Sequence, residues 1–249
     1  WLHRQLQAAF NLGSIRARAE RLAAAPGLLA QAYFMTGSSP EELEAAQKLV
    51  GARLGALADA VLFRTPEGRE VRTSDIKPGR SVPEMEFLLH APKKSLGVQT
   101  LIKSLGAAGL SFESDARDPL SGYVTGSIDL MFEFEGRYWI IDWKSNFLGD
   151  GLPASYTQEA MADEIRRKNY ALQYAIYLTA LKRHLMATTS LTKETVWDAI
   201  GGAAYVFLRG IDAAEKLDAQ GRRNGVFLTC QREAVDALDA LLGRGGKSA

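Results

Sequence analysis

Residues 126 to 146 read GSIDLMFEFEGRYWIIDWKSN and set three charged side chains, Asp129, Asp142 and Lys144, inside apolar runs. An ionised carboxylate loses its hydration on burial and is tolerated there only when it is paired or binds a metal. The Glu135-Gly136 dipeptide predicts a hairpin turn, and pairing about that turn sets Asp129 opposite Asp142. Facing carboxylates repel, so a hard divalent cation, which prefers oxygen donors, is a natural partner for them. Lys144 lies two residues beyond Asp142 and shares its side-chain direction, because strand side chains alternate. Two carboxylates, a cation and an ammonium on one face can activate a water, polarise a phosphoryl oxygen and steady the charge that develops on it. The same residues also admit a plainer arrangement, in which Lys144 neutralises Asp142 and Asp129 sits at an exposed strand end.

The elements that would position these groups are legible from hydrophobic period. Strands are predicted at about 123–134 and 137–143, followed by a Gly/Pro loop. A long helix at about 157–186 carries Met161, Ile165, Leu172, Ile176 and Ala180 on one face. AAYVFLRG at 203–210 and GVFLTC at 225–230 read as buried strands, and 231–242 as a closing helix. Upstream, Met85, Phe87 and Leu89 alternate as in a strand that begins near Val82, a helix covers about 97–105, and 106–122 reads as loop.

Residues 1–63 have a helical period broken at Pro26-Gly27 and at Gly37-Ser38-Ser39-Pro40. Ser39, Pro40 and Glu42 form a capping-box pattern for a helix running to about Phe63, and Thr65-Pro66-Glu67-Gly68 makes a turn. This order predicts an α/β fold: a mixed sheet flanked by helices, with an N-terminal helical layer. A soft boundary near residue 80 divides 1–80 from 81–249, within what is expected to be one structural unit.

Composition narrows the function classes. With 249 residues, 47% hydrophobic, the chain can bury a real core. Its 30 basic and 29 acidic residues leave a net charge of +1, so any nucleic-acid site must be local. Arg166-Arg167-Lys168, Lys182-Arg183 and Arg222-Arg223 are candidate phosphate contacts, although such clusters are usually solvated faces. A single cysteine, Cys230, excludes an intrachain disulfide, a Cys-rich zinc site and a four-thiolate cluster built from this chain alone.

No apolar run approaches the roughly 20 residues that span a bilayer, and no signal-peptide pattern opens the sequence. A soluble chain in a reducing, cytosolic compartment is expected. Trp1 in place of Met, followed by the amphipathic Leu2, Leu6, Ala9 and Phe10, reads as a piece cut from a longer protein. The tail GRGGKSA is not a phosphate-binding loop, since Leu241 stands where the motif needs its first glycine.

The pattern Asp-x12-Asp-x-Lys across a hairpin resembles the PD-(D/E)xK nuclease superfamily, whose core is restriction-endonuclease-like. GSIDLMFEFEGRYWIIDWKSNFLGDG, YTQEAMADEIRRKNYALQYAIYLTALKRHL, GGAAYVFLRG, WLHRQL and EMEF are closer still to the C-terminal nuclease domains of the RecB type, found in helicase-nucleases. The resemblance implies a metal-dependent deoxyribonuclease of the exodeoxyribonuclease V kind, with Mg²⁺ as cofactor and DNA, single-stranded ends in particular, as substrate. It implies Asp129 and Asp142 as metal ligands, Lys144 as the catalytic lysine and His3 as an additional metal ligand. Glu84 resembles the acidic residue on the preceding strand, and Gln173 and Tyr177 match a Q-x-x-x-Y motif near the active site.

The family's typical DYKS is DWKS here, which leaves the backbone carbonyl of Trp143 as the ligand at that position. Implied partners are the helicase region of a parent chain, RecC- and RecD-like subunits and the recombinase RecA, in a bacterial cytoplasm. A different role stays open, that of a catalytically weak nuclease-fold module serving as a recombinase-loading or docking surface.

Overall fold

The computed structural model describes residues 6–10, 14–24, 39–90, 96–114 and 121–243. Residues 6–10 are helical. They are followed by α1 (Ile15–Ala24), α2 (Pro40–Asp59), β1 (Val61–Arg64), β2 (Glu70–Arg72), β3 (Ser81–His90) and α3 (Val98–Ala107). Next come β4 (Tyr123–Phe134), β5 (Arg137–Lys144), α4 (Gln158–Arg167) and α5 (Tyr170–Thr188). The chain continues through α6 (Val196–Ala199), β6 (Ile200–Phe207), β7 (Val226–Thr229) and α7 (Arg232–Leu242). Among the described residues no helix is long and apolar enough to cross a membrane. The breaks expected at Pro26-Gly27 and at Gly37-Ser38 lie outside the described residues.

Five strands form one mixed sheet in the order β3-β4-β5-β6-β7, antiparallel except for the parallel pair β5-β6. Apolar clusters cover both faces. One joins Ile128, Met131, Ile140, Tyr205 and Phe207 to α3, α4, α5 and α7; the other joins Leu130, Phe132, Trp139, Ile141 and Trp143 to residues 6–10, α1, α2, β1 and β2. A strand buried on both faces needs apolar residues at every position rather than at alternate ones. β5 (RYWIIDWK) has that composition, and its last six residues are buried. Asp142 and Lys144 are therefore exceptions to the logic of their own strand.

The N-terminal signals are read out as capping chemistry requires. Ser39 Oγ accepts from the Glu42 N–H (3.3 Å), and Glu42 Oε2 accepts from the Ser39 N–H (2.8 Å). The helix does not reach Phe63, however. It stops at Asp59, and Val61-Leu62-Phe63 turns into a strand that pairs with β2 across the Thr65–Gly68 turn. Branched and aromatic side chains gain more there, where Leu62 and Phe63 are buried against Trp139 and its neighbours, than in a further helical turn.

The long helix expected over 157–186 is also two helices. Asn169 adopts φ 55°, a left-handed conformation that ends α4 and redirects the chain into α5. Its side chain is fixed by Glu113, accepting from the Glu113 N–H (3.2 Å) and donating to the Glu113 carbonyl (2.7 Å). Asparagine is among the few non-glycine residues that enter this region readily.

At the start of β6, a Cβ on Gly201 would lie 2.2 Å from the Trp139 indole, which is 1% exposed. Gly201→Ala is expected to destabilise the fold by about 3 kcal/mol through overpacking. Denaturant unfolding checks this, and an unchanged midpoint would mean that the indole gives way freely.

Candidate active site

The sheet ladders bring the charged residues to one level. Pro83 pairs with Leu130 and Met85 with Ile128, which sets Glu84 opposite Asp129. The β4-β5 pairs run from Phe134–Arg137 to Leu130–Ile141, and Asp129 and Asp142 are next in that register. In the parallel pair, Asp142 stands beside Tyr205. Glu84, Asp129, Asp142 and Tyr205 thus form a row across β3, β4, β5 and β6. Where the β4-β5 backbone pairing lapses, Asp129 Oδ2 accepts the Trp143 N–H at 2.8 Å and holds the strands together. Glu84 has φ 50°, a region costly for a residue with a Cβ and found disproportionately at functional sites.

Lys144 is the hub. Its Nζ lies 2.6 Å from Asp142 Oδ2 and donates to Gln173 Oε1 at 2.9 Å. The ammonium also sits 3.8 Å from the centre of the Tyr170 ring and 4.9 Å from that of Tyr205, within cation–π range of both. Gln173 Nε2 donates to the Tyr177 hydroxyl at 2.8 Å, as residues four apart on one helical face can. Asp142 is only 4% exposed and Lys144 8%, so both charges are kept out of water and their pairing is obligatory.

Charge in this space is unbalanced. Asp142 has the lysine, but burial, with the charges of Asp142 and Glu84 adding to it, pushes the Asp129 carboxyl up to about 7 against the Trp143 N–H and Lys144, which favour ionisation. Burial and then Asp142 also raise the Tyr177 and Tyr205 hydroxyls, which stay protonated at neutral pH.

A further set of side chains orients Tyr170. Asn146 Nδ2 donates to the Tyr170 hydroxyl (3.1 Å) and to Glu164 Oε1 (2.6 Å), while Glu164 is buried and paired with Arg167 (Nε 3.0 Å).

Asp129, Asp142, Lys144, Gln173 and Tyr177 are therefore gathered in one place. Asp129 is half-buried rather than at an exposed strand end, although the Lys144–Asp142 ion pair of the plainer arrangement is present. Glu84 is in the row, its carboxylate accepting from Ser127 Oγ at 2.8 Å. The Trp143 ring lies on the opposite face of the sheet, stacked on Phe10 at 6.3 Å. His3 lies outside the described residues.

Among the described residues no group of three or more His, Cys, Asp or Glu side chains is gathered closely enough to hold a metal. The donor set that remains is Asp129 and Asp142, with the backbone carbonyl of Trp143, the residue after Asp142. It fits Mg²⁺, which is commonly held by one or two carboxylates and completes its shell with water and substrate phosphate. The excess of carboxylate over ammonium points the same way.

The basic clusters are mostly engaged within the fold. Lys182 is buried and bonded to Asp236 and Asp239 (2.7 Å each), and Arg183 to Asp239 (2.7 Å). Arg223 is buried and donates to the Val61 carbonyl (2.9 Å), and Arg222 pairs with Asp218 (3.0 Å). Arg166 and Lys168 stay exposed at the end of α4, Arg166 with Asp163 at 2.9 Å.

No family model matches the chain. Among curated proteins it is similar to the RecBCD enzyme subunit RecB of Haemophilus influenzae, 36% identical over 185 residues, covering 73% of this chain and 14% of that protein. RecB of Escherichia coli is 37% identical over 175 residues, 68% of this chain and 14% of the relative. RecB of Mycobacterium tuberculosis is 36% identical over 143 residues, 57% and 12% respectively. The chain thus fits a RecB C-terminal nuclease domain. It spans about one seventh of the length of the first two relatives and has the mixed α/β architecture of a nuclease-fold domain.

Within this RecB-type domain, sequence reasoning missed Tyr170, Tyr205 and Asn146. Tyr170 is three residues before Gln173 and on the same helical face, a spacing that could have flagged it. Tyr205 had no local signal, because only the parallel pairing of β5 with β6 brings it beside Asp142.

Proposed function

We propose that this RecB-like chain is a Mg²⁺-dependent deoxyribonuclease domain that hydrolyses DNA phosphodiester bonds, acting on single-stranded ends during end processing and recombinational repair. The observation that carries the reading is the juxtaposition of Asp129, Asp142 and a buried, tightly held Lys144 at the end of one hairpin. Asp129, Asp142 and the Trp143 carbonyl would hold the cation, with His3 as an additional ligand. When bound, the cation supplies Lewis acidity toward a phosphoryl oxygen and makes water a stronger nucleophile at neutral pH.

The chain's own groups do the positioning. Lys144, fixed by Asp142, Gln173 and two aromatic rings, orients the attacking water or steadies negative charge developing on the phosphoryl group. Gln173 holds the ammonium through its carbonyl while its amide is anchored on Tyr177. No nucleophilic side chain is needed, so hydrolysis proceeds without a covalent intermediate.

In the cell this domain would work in the bacterial cytoplasm, within a helicase-nuclease assembly. The helicase region of its parent chain and RecC- and RecD-like subunits would deliver the strand, and RecA is a candidate recipient of the product. Incubation of the chain with labelled linear single-stranded DNA is expected to give cleavage in Mg²⁺ and none in EDTA. Binding of Mg²⁺ without cleavage would mean that the domain needs its helicase partner, and the absence of both would move the docking-module role ahead.

A further inference from the structure

The loop leaving β5 carries a side chain that neither the core nor the catalytic group uses. Phe147, three residues beyond Lys144, is 63% exposed, and Leu152 in the same loop is 58% exposed. The ring is nonetheless held in place. Gly151, at φ 78°, packs so closely that a Cβ there would lie 2.5 Å from the Phe147 ring. The Arg209 guanidinium sits 5.6 Å from the ring centre, and its Nε donates to the Ser145 carbonyl at 3.4 Å.

The loop itself is pinned. Tyr156 donates to the Asn146 carbonyl (2.9 Å) and accepts the Leu148 N–H (3.3 Å), and Asp150 accepts from the Leu152 N–H (2.9 Å) and Ser155 Oγ (2.7 Å). A large aromatic ring fixed in an exposed position pays no ordering cost when a flat partner stacks on it.

Its surroundings identify the partner. Lys144 pairs with Phe207 in the parallel ladder, so Phe147 and Arg209 leave the same ends of β5 and β6, just past the catalytic group. An exposed aromatic face beside a guanidinium offers π-stacking to a base and positive charge to the neighbouring phosphate.

We propose that Phe147, backed by Gly151 and Arg209, is a stacking platform for an unpaired nucleobase of the strand being cleaved. The proposal rests on the nuclease reading for its substrate, but its test does not need turnover. The platform is indifferent to base identity, because every base has a π face, and it selects unpaired DNA, because a base within a duplex has both faces covered.

The test is anisotropy of a labelled single-stranded oligothymidylate, read in EDTA with the parent chain, Phe147→Ala, Phe147→Leu and Phe147→Trp. Alanine and leucine are expected to weaken binding roughly tenfold, and tryptophan to retain it. An abasic backbone of equal length should bind the parent as weakly as the oligothymidylate binds Phe147→Ala. Unchanged binding by Phe147→Ala would overturn the proposal, as would full rescue by leucine, which would make the patch a general apolar contact of the kind a protein partner uses. The two readings fail separately. Stacking-dependent binding with neither Mg²⁺ binding nor Mg²⁺-dependent cleavage keeps the platform and removes the nuclease, whereas cleavage with Phe147-independent binding does the reverse.

Discussion

Asp142→Asn is expected to lower Mg²⁺-dependent cleavage on the order of a thousandfold, and Lys144→Met by roughly a hundredfold to a thousandfold. Asparagine keeps the shape of Asp142 but removes its charge, so the proposed cation would lose a ligand and Lys144 loses the charged partner now 2.6 Å away. Breaking a buried pair by removing one member costs about 3–5 kcal/mol, so each single variant must be shown by circular dichroism to remain folded. The double variant, Asp142→Asn with Lys144→Met, separates the two effects. It removes the uncompensated charge, so stability should recover toward the parent while cleavage stays lost. A folded variant of either kind that cleaves at the parent rate would reduce the Lys144–Asp142 contact to an ordinary structural ion pair.

The metal-free protein is expected to become more stable as pH falls from about 8 to about 5. Asp129 is the group responsible, with its carboxyl at about 7 in the fold against the ordinary 3.8. Below the ordinary value the group is protonated in both folded and unfolded chains and contributes nothing. Above about 7 it is ionised in both, and the folded state alone bears the cost of a buried charge facing Asp142 and Glu84, relieved in part by Lys144 and the Trp143 N–H. Between the two, the folded chain binds more protons, so stability falls as pH rises. At about 1.4 kcal/mol per pH unit the full effect reaches about 4 kcal/mol.

A bound cation opposes that cost by competing with the proton. Thermal unfolding in Mg²⁺ should therefore vary less with pH than in EDTA, and Mg²⁺ affinity should rise through neutrality. Asp129→Asn should abolish both the slope and the Mg²⁺ response, and should raise metal-free stability at pH 8. An unaltered slope in that variant would assign the titration elsewhere.

Much of the site was legible because strand and hairpin rules are local. Alternation, the Glu135-Gly136 turn and a two-residue step from Asp142 to Lys144 were enough to put Asp129, Asp142 and Lys144 together. The four-residue spacing of Gln173 and Tyr177 was likewise sufficient to place them side by side. Errors arose where local preference competed with tertiary packing. Val61-Leu62-Phe63 fits a helical period but is taken by the sheet layer under Trp139, and the period across 157–186 runs through Asn169 although the backbone does not.

By itself, then, the sequence determined the mixed α/β class, the facing aspartates with their lysine, and the resemblance to RecB-type nuclease domains, since each rests on residues close together in the chain. Only the tertiary structure decided that Glu84, Asp129 and Asp142 form a row, and that Lys144 is enclosed by Tyr170, Tyr205 and Gln173. It alone also showed that most of the apparent phosphate-binding clusters are consumed by internal ion pairs. Those relations depend on strand order and helix docking, which join residues tens of positions apart and leave no periodic trace in the chain.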